Sequence, residues 1–283
     1  MKNKKIIGWF VGILVVIIGV ASFIFFKNQK FAQKSKSYIQ TGTPTLFVHG
    51  FGSSYHAEEH MVKSAEKAGV TRSVIRADVD SNSKVTLIGK ISANAKNPIV
   101  EVNFKDKNVE VSANDVKAVV KKLEQKYHFK RINLVGHSVG NLAIANYINE
   151  NYDNKSLPTI NKVVSIAGHY NGWLGEEVGR KAKIKNKKTG EPDIFASGFK
   201  KLLPLRKHYP RQIKVLNIYG DLEDGSKSDG SVSVASAQTY KYLINNRAKS
   251  YREVEFKGKM AQHSKLHEND EVDKVIINFL WKK

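Results

Sequence analysis

Residues 6 to 26, IIGWFVGILVVIIGVASFIFF, form one uncharged run between KNKK and KNQKFAQKSK. Wound as a helix at about 1.5 Å per residue, a run of that length covers the roughly 30 Å of a bilayer's hydrocarbon core. It exceeds the apolar stretch of a cleavable signal, and no small-residue cleavage site follows it. The pattern therefore predicts an uncleaved membrane anchor over 1–30, with cleavage and secretion as the alternative. Lys2, Lys4 and Lys5 on one side nearly balance Lys27, Lys30, Lys34 and Lys36 on the other, so the charge rule alone does not orient the span. A short N-terminal tail before a large domain predicts a single-pass protein of the cell membrane with that domain outside the cell.

Residues 31–43 are polar and lysine-rich and read as a stalk, and 44–283 read as one domain. TPTLFVHG (43–50) has the apolar run of a buried strand, with a helix expected over 54–69. Three short β-branched segments, 72–80, 84–91 and 98–104, suggest a meander or hairpin at a sheet edge. After them the pattern alternates. A helix capped by Ser112 or Asn114 runs to about Tyr127, RINLVG (131–136) is a strand, and a helix begins near Val139. Strands at 162–168, 213–220 and 251–258 and helices at 233–244 and 269–281 follow. Such alternation predicts an α/β fold with a mostly parallel sheet covered on both faces. Residues 169–211 interrupt it and are too long for a connection of about 2–6 residues. They read as a cap over the carboxyl ends of the strands, with Trp173, Phe195, Phe199, Leu202 and Leu203 lining a pocket or forming a small core of their own.

Composition narrows the chemistry. The 283 residues contain no cysteine, which removes disulfides, thiolate nucleophiles and thiolate metal sites. Lys and Arg total 47 against 26 Asp and Glu, a net +21, and the five lysines through residue 30 leave about +16 on the remainder. That field suits an anionic cell-surface polymer or lipid. The basic residues are dispersed with no aromatic-interleaved stripe, so no specific nucleic-acid partner is expected.

GHSVG (136–140) fits G-x-S-x-G between a strand and a helix, the setting of a nucleophile elbow, and makes Ser138 the candidate nucleophile. Two backbone donors must meet the oxyanion of an acyl transfer. Val139 N–H at the helix start and an N–H of HGFGSS (49–54), that of Phe51, are the candidates. His49 then shapes this loop, and His137 packs beside the elbow. The triad order serine, acid, histidine directs attention to DLEDGSKSDGSVSVASA, which offers Asp221, Asp224 and Asp229. Asp229 is preferred because it stands before a defined helix start. That oxygen-rich stretch departs from the EF-hand pattern, and no zinc, nucleotide or dinucleotide motif is present, so neither metal nor cofactor is expected. KMAQHSKLHEN offers His263 and His267 as the base, with His263 preferred.

These motifs give the chain a likeness to a family. FVHGFGSS, INLVGHSVGN, AGHYNG, NIYGDLEDGSKSDGSVSVASA and HSKLHEN, over roughly 43–281, resemble the α/β-hydrolases and, among them, the DUF915 group of anchored or secreted Gram-positive hydrolases of unknown function. The resemblance implies an α/β-hydrolase fold and a triad of Ser138, Asp229 and His263. Relatives usually carry proline after the valine that follows the acid, where this chain has Ser233, which implies a different loop path there. The expected activity is hydrolysis of a small-molecule or lipid carboxylic ester through an acyl-serine. Thioesterase and amidase or peptidase activity with the same triad, or a catalytically silent binding module, are the alternatives.

Overall fold

The computed structural model describes residues 2–106 and 112–283, with the side chains of α1 from Val16 onward. Its helices are α1 (Lys2–Ser35), α2 (Glu59–Ala68), α3 (Ala113–Tyr127), α4 (Val139–Asn151), α5 (Glu177–Lys181), α6 (Ser197–Leu202), α7 (Leu205–His208), α8 (Val234–Gln238), α9 (Tyr240–Ile244) and α10 (Asp270–Trp281). The strands are β1 (Thr45–Val48), β2 (Val74–Val79), β3 (Val85–Ile88), β4 (Ile99–Phe104), β5 (Arg131–His137), β6 (Thr159–Ile166), β7 (Ile184–Asn186), β8 (Glu191–Pro192), β9 (Lys214–Asp221) and β10 (Ser250–Lys257).

Eight of these strands form one sheet in the order β10-β9-β6-β5-β1-β4-β2-β3, and only β3 runs antiparallel to its neighbour. The central strands are buried along their length, and the apolar clusters on the two faces are closed by α3 and α4 on one and α2 and α10 on the other. This is the predicted α/β architecture. The predicted edge meander holds for β2 and β3 alone. β4 inserts between β1 and β2, parallel to both, because IVEVNF is apolar enough to be buried as an inner strand. The helix expected over 233–244 is two short ones: Thr239 Oγ1 donates to the Ser236 carbonyl oxygen at 2.6 Å, three residues back, where the first turns end. Ser112 caps α3 as expected, in a reciprocal capping box with Asp115.

Among the described residues no helix is long and apolar enough to cross a membrane. The predicted span 6–26 falls within α1, but its side chains through residue 15 lie outside the described residues. The segment read as a stalk is the last turn of α1 and a strip held against the domain, with Ile39 N–H donating to the Trp281 carbonyl oxygen at 2.8 Å. Residues 169–211 hold α5, the β7–β8 hairpin, α6 and α7. Phe199, Leu202, Leu205 and Tyr209 from this stretch are buried in the main core, with Phe195 and Leu203 packed against it, so the latter half is part of the core rather than a separate one.

Candidate active site

β5 ends at the elbow. Ser138 sits between it and α4 with φ 53° and ψ −125°, a left-handed backbone that costs a residue with a side chain on the order of 1–3 kcal/mol. Neighbours hold it there. Ser138 N–H donates to the Ile166 carbonyl oxygen at 3.0 Å, and Asn141 Nδ2 donates to the same oxygen at 2.8 Å and to the Ser138 carbonyl at 3.1 Å. A Cβ on Gly140 would run into the Val48 carbonyl oxygen and stand 2.8 Å from that of His49, and one on Gly136 would meet Asn141 Oδ1 at 2.6 Å. Both glycines are therefore demanded by backbone approach.

The structure brings three predicted side chains into one line. Ser138 Oγ lies 3.0 Å from His263 Nε2, and His263 Nδ1 lies 2.8 Å from Asp229 Oδ2. Asp229 is 1% exposed, and its other oxygen, Oδ1, accepts from the backbone N–H groups of Ser231 at 2.9 Å and Val232 at 2.7 Å. Backbone bonds tie the acid loop to the base: His263 N–H donates to the Asp229 carbonyl oxygen at 2.8 Å. Ser233 caps α8 by accepting from Ser236 N–H, and its own hydroxyl donates to the Gly179 carbonyl oxygen at 2.9 Å. The serine thus anchors the acid loop to the insertion through a hydrogen bond that proline could not make.

The other candidates are elsewhere. Asp221 and Asp224 point into their own turns, accepting from the N–H groups of Glu223 and Ser226 at 2.9 Å each. His267 is buried with its ring edge-on to His137, at 4.7 Å between centroids. His49 shapes its loop, as expected: Nδ1 lies 2.8 Å from the Gly50 carbonyl oxygen, and Nε2 accepts from Phe104 N–H at 3.2 Å. That loop runs against the elbow, where a Cβ on Gly50 would be 3.0 Å from the Ser138 Cβ. Phe51 itself is 62% exposed. Among the described residues, neither Phe51 N–H nor Val139 N–H has a hydrogen-bond acceptor.

His137 does more than pack. Its Nε2 donates to the His263 carbonyl oxygen at 3.0 Å, fixing the backbone of the base. Burial holds its imidazole neutral, its pKa well below the usual value, with the neighbouring His263 and His267 adding to the effect. His169, three residues beyond β6, stands in the AGHYNG motif, which gave it no role of its own, and it borders the site. Its pKa is lowered to about 4, by burial first and by the neighbouring His263, with Asp229 opposing. Desolvation likewise lowers His267. The imidazoles around His263 are therefore uncharged at neutral pH.

A cavity of about 480 Å³ opens beside His169, between α4, α6 and the start of the insertion. Trp173, Phe199 and Leu202 line it as predicted, but so do Asn146, Glu150, Glu176 and Lys201. Among the described residues, the group suited to a cation is His60, Asp270 and Asp273, with ligating atoms within 4.8 Å of one another where α2 meets α10. It shares no residue with the serine line, and His60 Nδ1 already pairs with Asp273 Oδ2 at 2.9 Å.

Residues 32–283 match the model of the family described as alpha/beta hydrolase of unknown function (DUF915). No curated protein matches the chain. Among solved structures, the lin2722 gene product of Listeria innocua is 23% identical with a TM-score of 0.77, covering 85% of this chain and 94% of its own. A candidate cell surface hydrolase from Lactobacillus plantarum WCFS1 is 22% identical with a TM-score of 0.66, covering 84% and 89%. The Pyrococcus furiosus esterase Pf2001 is 17% identical with a TM-score of 0.50, covering 86% and 85%. At these identities the likenesses establish the fold.

Proposed function

The chain belongs to the DUF915 family of α/β-hydrolases, and we propose that it is a serine hydrolase that cleaves carboxylic esters through an acyl-serine. The observation that carries this reading is the continuous hydrogen-bonded line Ser138 Oγ, His263 Nε2 and Nδ1, Asp229 Oδ2 at 3.0 and 2.8 Å. In the reaction, His263 Nε2 takes the proton of Ser138 Oγ as that oxygen attacks the ester carbonyl. The buried Asp229 carboxylate stabilises the imidazolium that forms and fixes its tautomer. The N–H groups of Phe51 and Val139 receive the oxyanion. His263 then returns its proton to the leaving alkoxide, and water, deprotonated by the same nitrogen, releases the acid.

The test is labelling of the folded protein by a fluorophosphonate probe beside its Ser138→Ala variant, with p-nitrophenyl esters of increasing chain length. Labelling and turnover that vanish together in the variant support the acyl-serine. Equal labelling of both proteins, or turnover that survives the substitution, refutes it.

We also propose that residues 1–30 anchor the protein in the cell membrane with the hydrolase domain, 44–283, outside. The uncharged run 6–26 supports this, as does the continuity of α1 from Lys2 to Ser35, on which Val16, Ile17, Ile18, Val20, Phe23, Ile24, Phe25 and Phe26 are exposed. Flotation of the full chain with lipid vesicles, resistant to alkaline carbonate, tests it; extraction by carbonate would refute it.

A further inference from the structure

Among the described residues, α1 meets the domain near its carboxyl end, from Lys27 onward. Lys34 Nζ donates to the Lys67 carbonyl oxygen at 2.8 Å, and a Cβ on Gly69 would stand 2.7 Å from the Lys34 Cβ. The Arg72 guanidinium lies over the Phe31 ring, 4.0 Å from its centroid, and donates to Asn28 Oδ1 at 2.6 Å. Beyond the helix, the Ile39 carbonyl oxygen accepts from Asn97 Nδ2 at 2.6 Å, and Tyr38 bridges to Lys282. Each partner stands before a strand or at the close of a helix: Arg72 precedes β2, Asn97 precedes β4, Lys67 and Gly69 end α2, and Lys282 ends α10. The clamp therefore grips the amino ends of the parallel strands.

Ser138, Asp229 and His263 follow β5, β9 and β10, at the carboxyl ends of the same sheet. The length of β4 at about 3.3 Å per residue puts on the order of 20 Å between the two ends. Across the sheet, β2 is three strands from β5, a further 14 Å or so at about 4.8 Å per strand. The link between α1 and β1 is hydrogen-bonded to the domain, so it offers no free tether by which the domain could turn over.

We infer that the serine site faces away from the bilayer holding α1 and acts on polar, water-borne esters rather than on acyl lipids of that bilayer. This rests on the anchoring and the esterase activity proposed above.

The chain has no cysteine, so one can be introduced for a dye at Asn94→Cys, near the clamp, or at Asp224→Cys, beyond β9. The full-length protein is placed in ether-lipid phosphatidylcholine vesicles carrying headgroup energy acceptors. The inference expects greater transfer from position 94 than from position 224, and equal or reversed transfer overturns it. In the same vesicles p-nitrophenyl butyrate should be hydrolysed as fast as in detergent. A fluorogenic acyl-ester lipid should be cleaved no faster in the protein's own vesicles than in separate ones. A preference of about tenfold or more for its own vesicles, the advantage a productive tether confers, overturns the inference. Protein that fails to float removes the anchoring and the inference with it, while butyrate turnover still reports on the esterase. Absence of Ser138-dependent turnover, with the transfer order as expected, overturns the substrate assignment and leaves the outward orientation standing.

Discussion

Asp229→Asn isolates the chemistry of the acid from its packing. Oδ1 accepts two backbone N–H groups, at 2.9 and 2.7 Å, so the amide oxygen of asparagine must keep that side. The opposite flip would aim an NH₂ at two donors and forfeit two hydrogen bonds, each worth about 1 kcal/mol net. The NH₂ therefore replaces Oδ2, 2.8 Å from His263 Nδ1, and donates to it. His263 must then carry its proton on Nε2, where it faces Ser138 Oγ and no longer accepts. Loss of the base with the geometry intact should lower kcat about 10⁴-fold, a barrier increase of about 5.4 kcal/mol. The assay is steady-state hydrolysis of p-nitrophenyl butyrate at pH 7.5, with circular dichroism to verify folding. Asp224→Asn, on an exposed turn, is the control and should leave kcat unchanged. A folded Asp229→Asn protein within about tenfold of the parent would refute the assigned role of the acid.

Other substitutions probe the surroundings. Gly140→Ala places a methyl against the Val48 carbonyl oxygen and should destabilise the fold by about 1–3 kcal/mol while lowering kcat, read by urea unfolding and turnover. His137→Phe keeps a ring but removes the donor to the half-buried His263 carbonyl, a cost of about 1–3 kcal/mol shared between stability and kcat; His137→Gln, able to reach that oxygen, should recover part of both. Glu58 is fully buried, neither carboxylate oxygen has a hydrogen-bond partner among the described residues, and burial raises its pKa from 4.5 to about 8, with Glu101 adding to the rise. The native state then holds a proton that the unfolded chain releases, so stability falls as pH rises from about 4.5 to 8. Glu58→Gln should therefore raise the Tm at pH 8 by about 2–4 °C for each kcal/mol recovered and leave it unchanged at pH 4.5, measured by calorimetry.

The elbow was readable because glycines at 136 and 140 bracket Ser138 between an apolar strand and a helix, a local signal that needs no tertiary knowledge. Asp229 and His263 were readable by chain order, with Asp229 favoured by the helix start that follows it; the reason Asp224 is excluded, its carboxylate facing solvent while that of Asp229 is buried, is tertiary. β4 was misplaced because strand order is a long-range property: a buried segment following a hairpin looks the same in sequence whether it extends the hairpin or inserts beside β1. His169 stood in the AGHYNG motif without a role, because its place beside the site comes from β6 ending next to β9, the strand that leads to Asp229. The grip of Arg72 on Phe31 and Asn28 was equally invisible, since it joins a lysine-rich segment to a turn some forty residues later.

The insertion that follows β6 is divided in a way that bears on how its specificity could change over evolutionary time. Phe199, Leu205 and Tyr209 have no exposed surface and bear on the same core as α4, so substitutions there trade against folding. Trp173, which lines the cavity, is 49% exposed, and Ile194 also faces solvent. Natural variation that reshapes this cavity should accumulate at exposed positions such as Trp173 and stay rare at Phe199, Leu205 and Tyr209. Drift at such exposed positions changes the shape of the cavity mouth while the buried half keeps the fold.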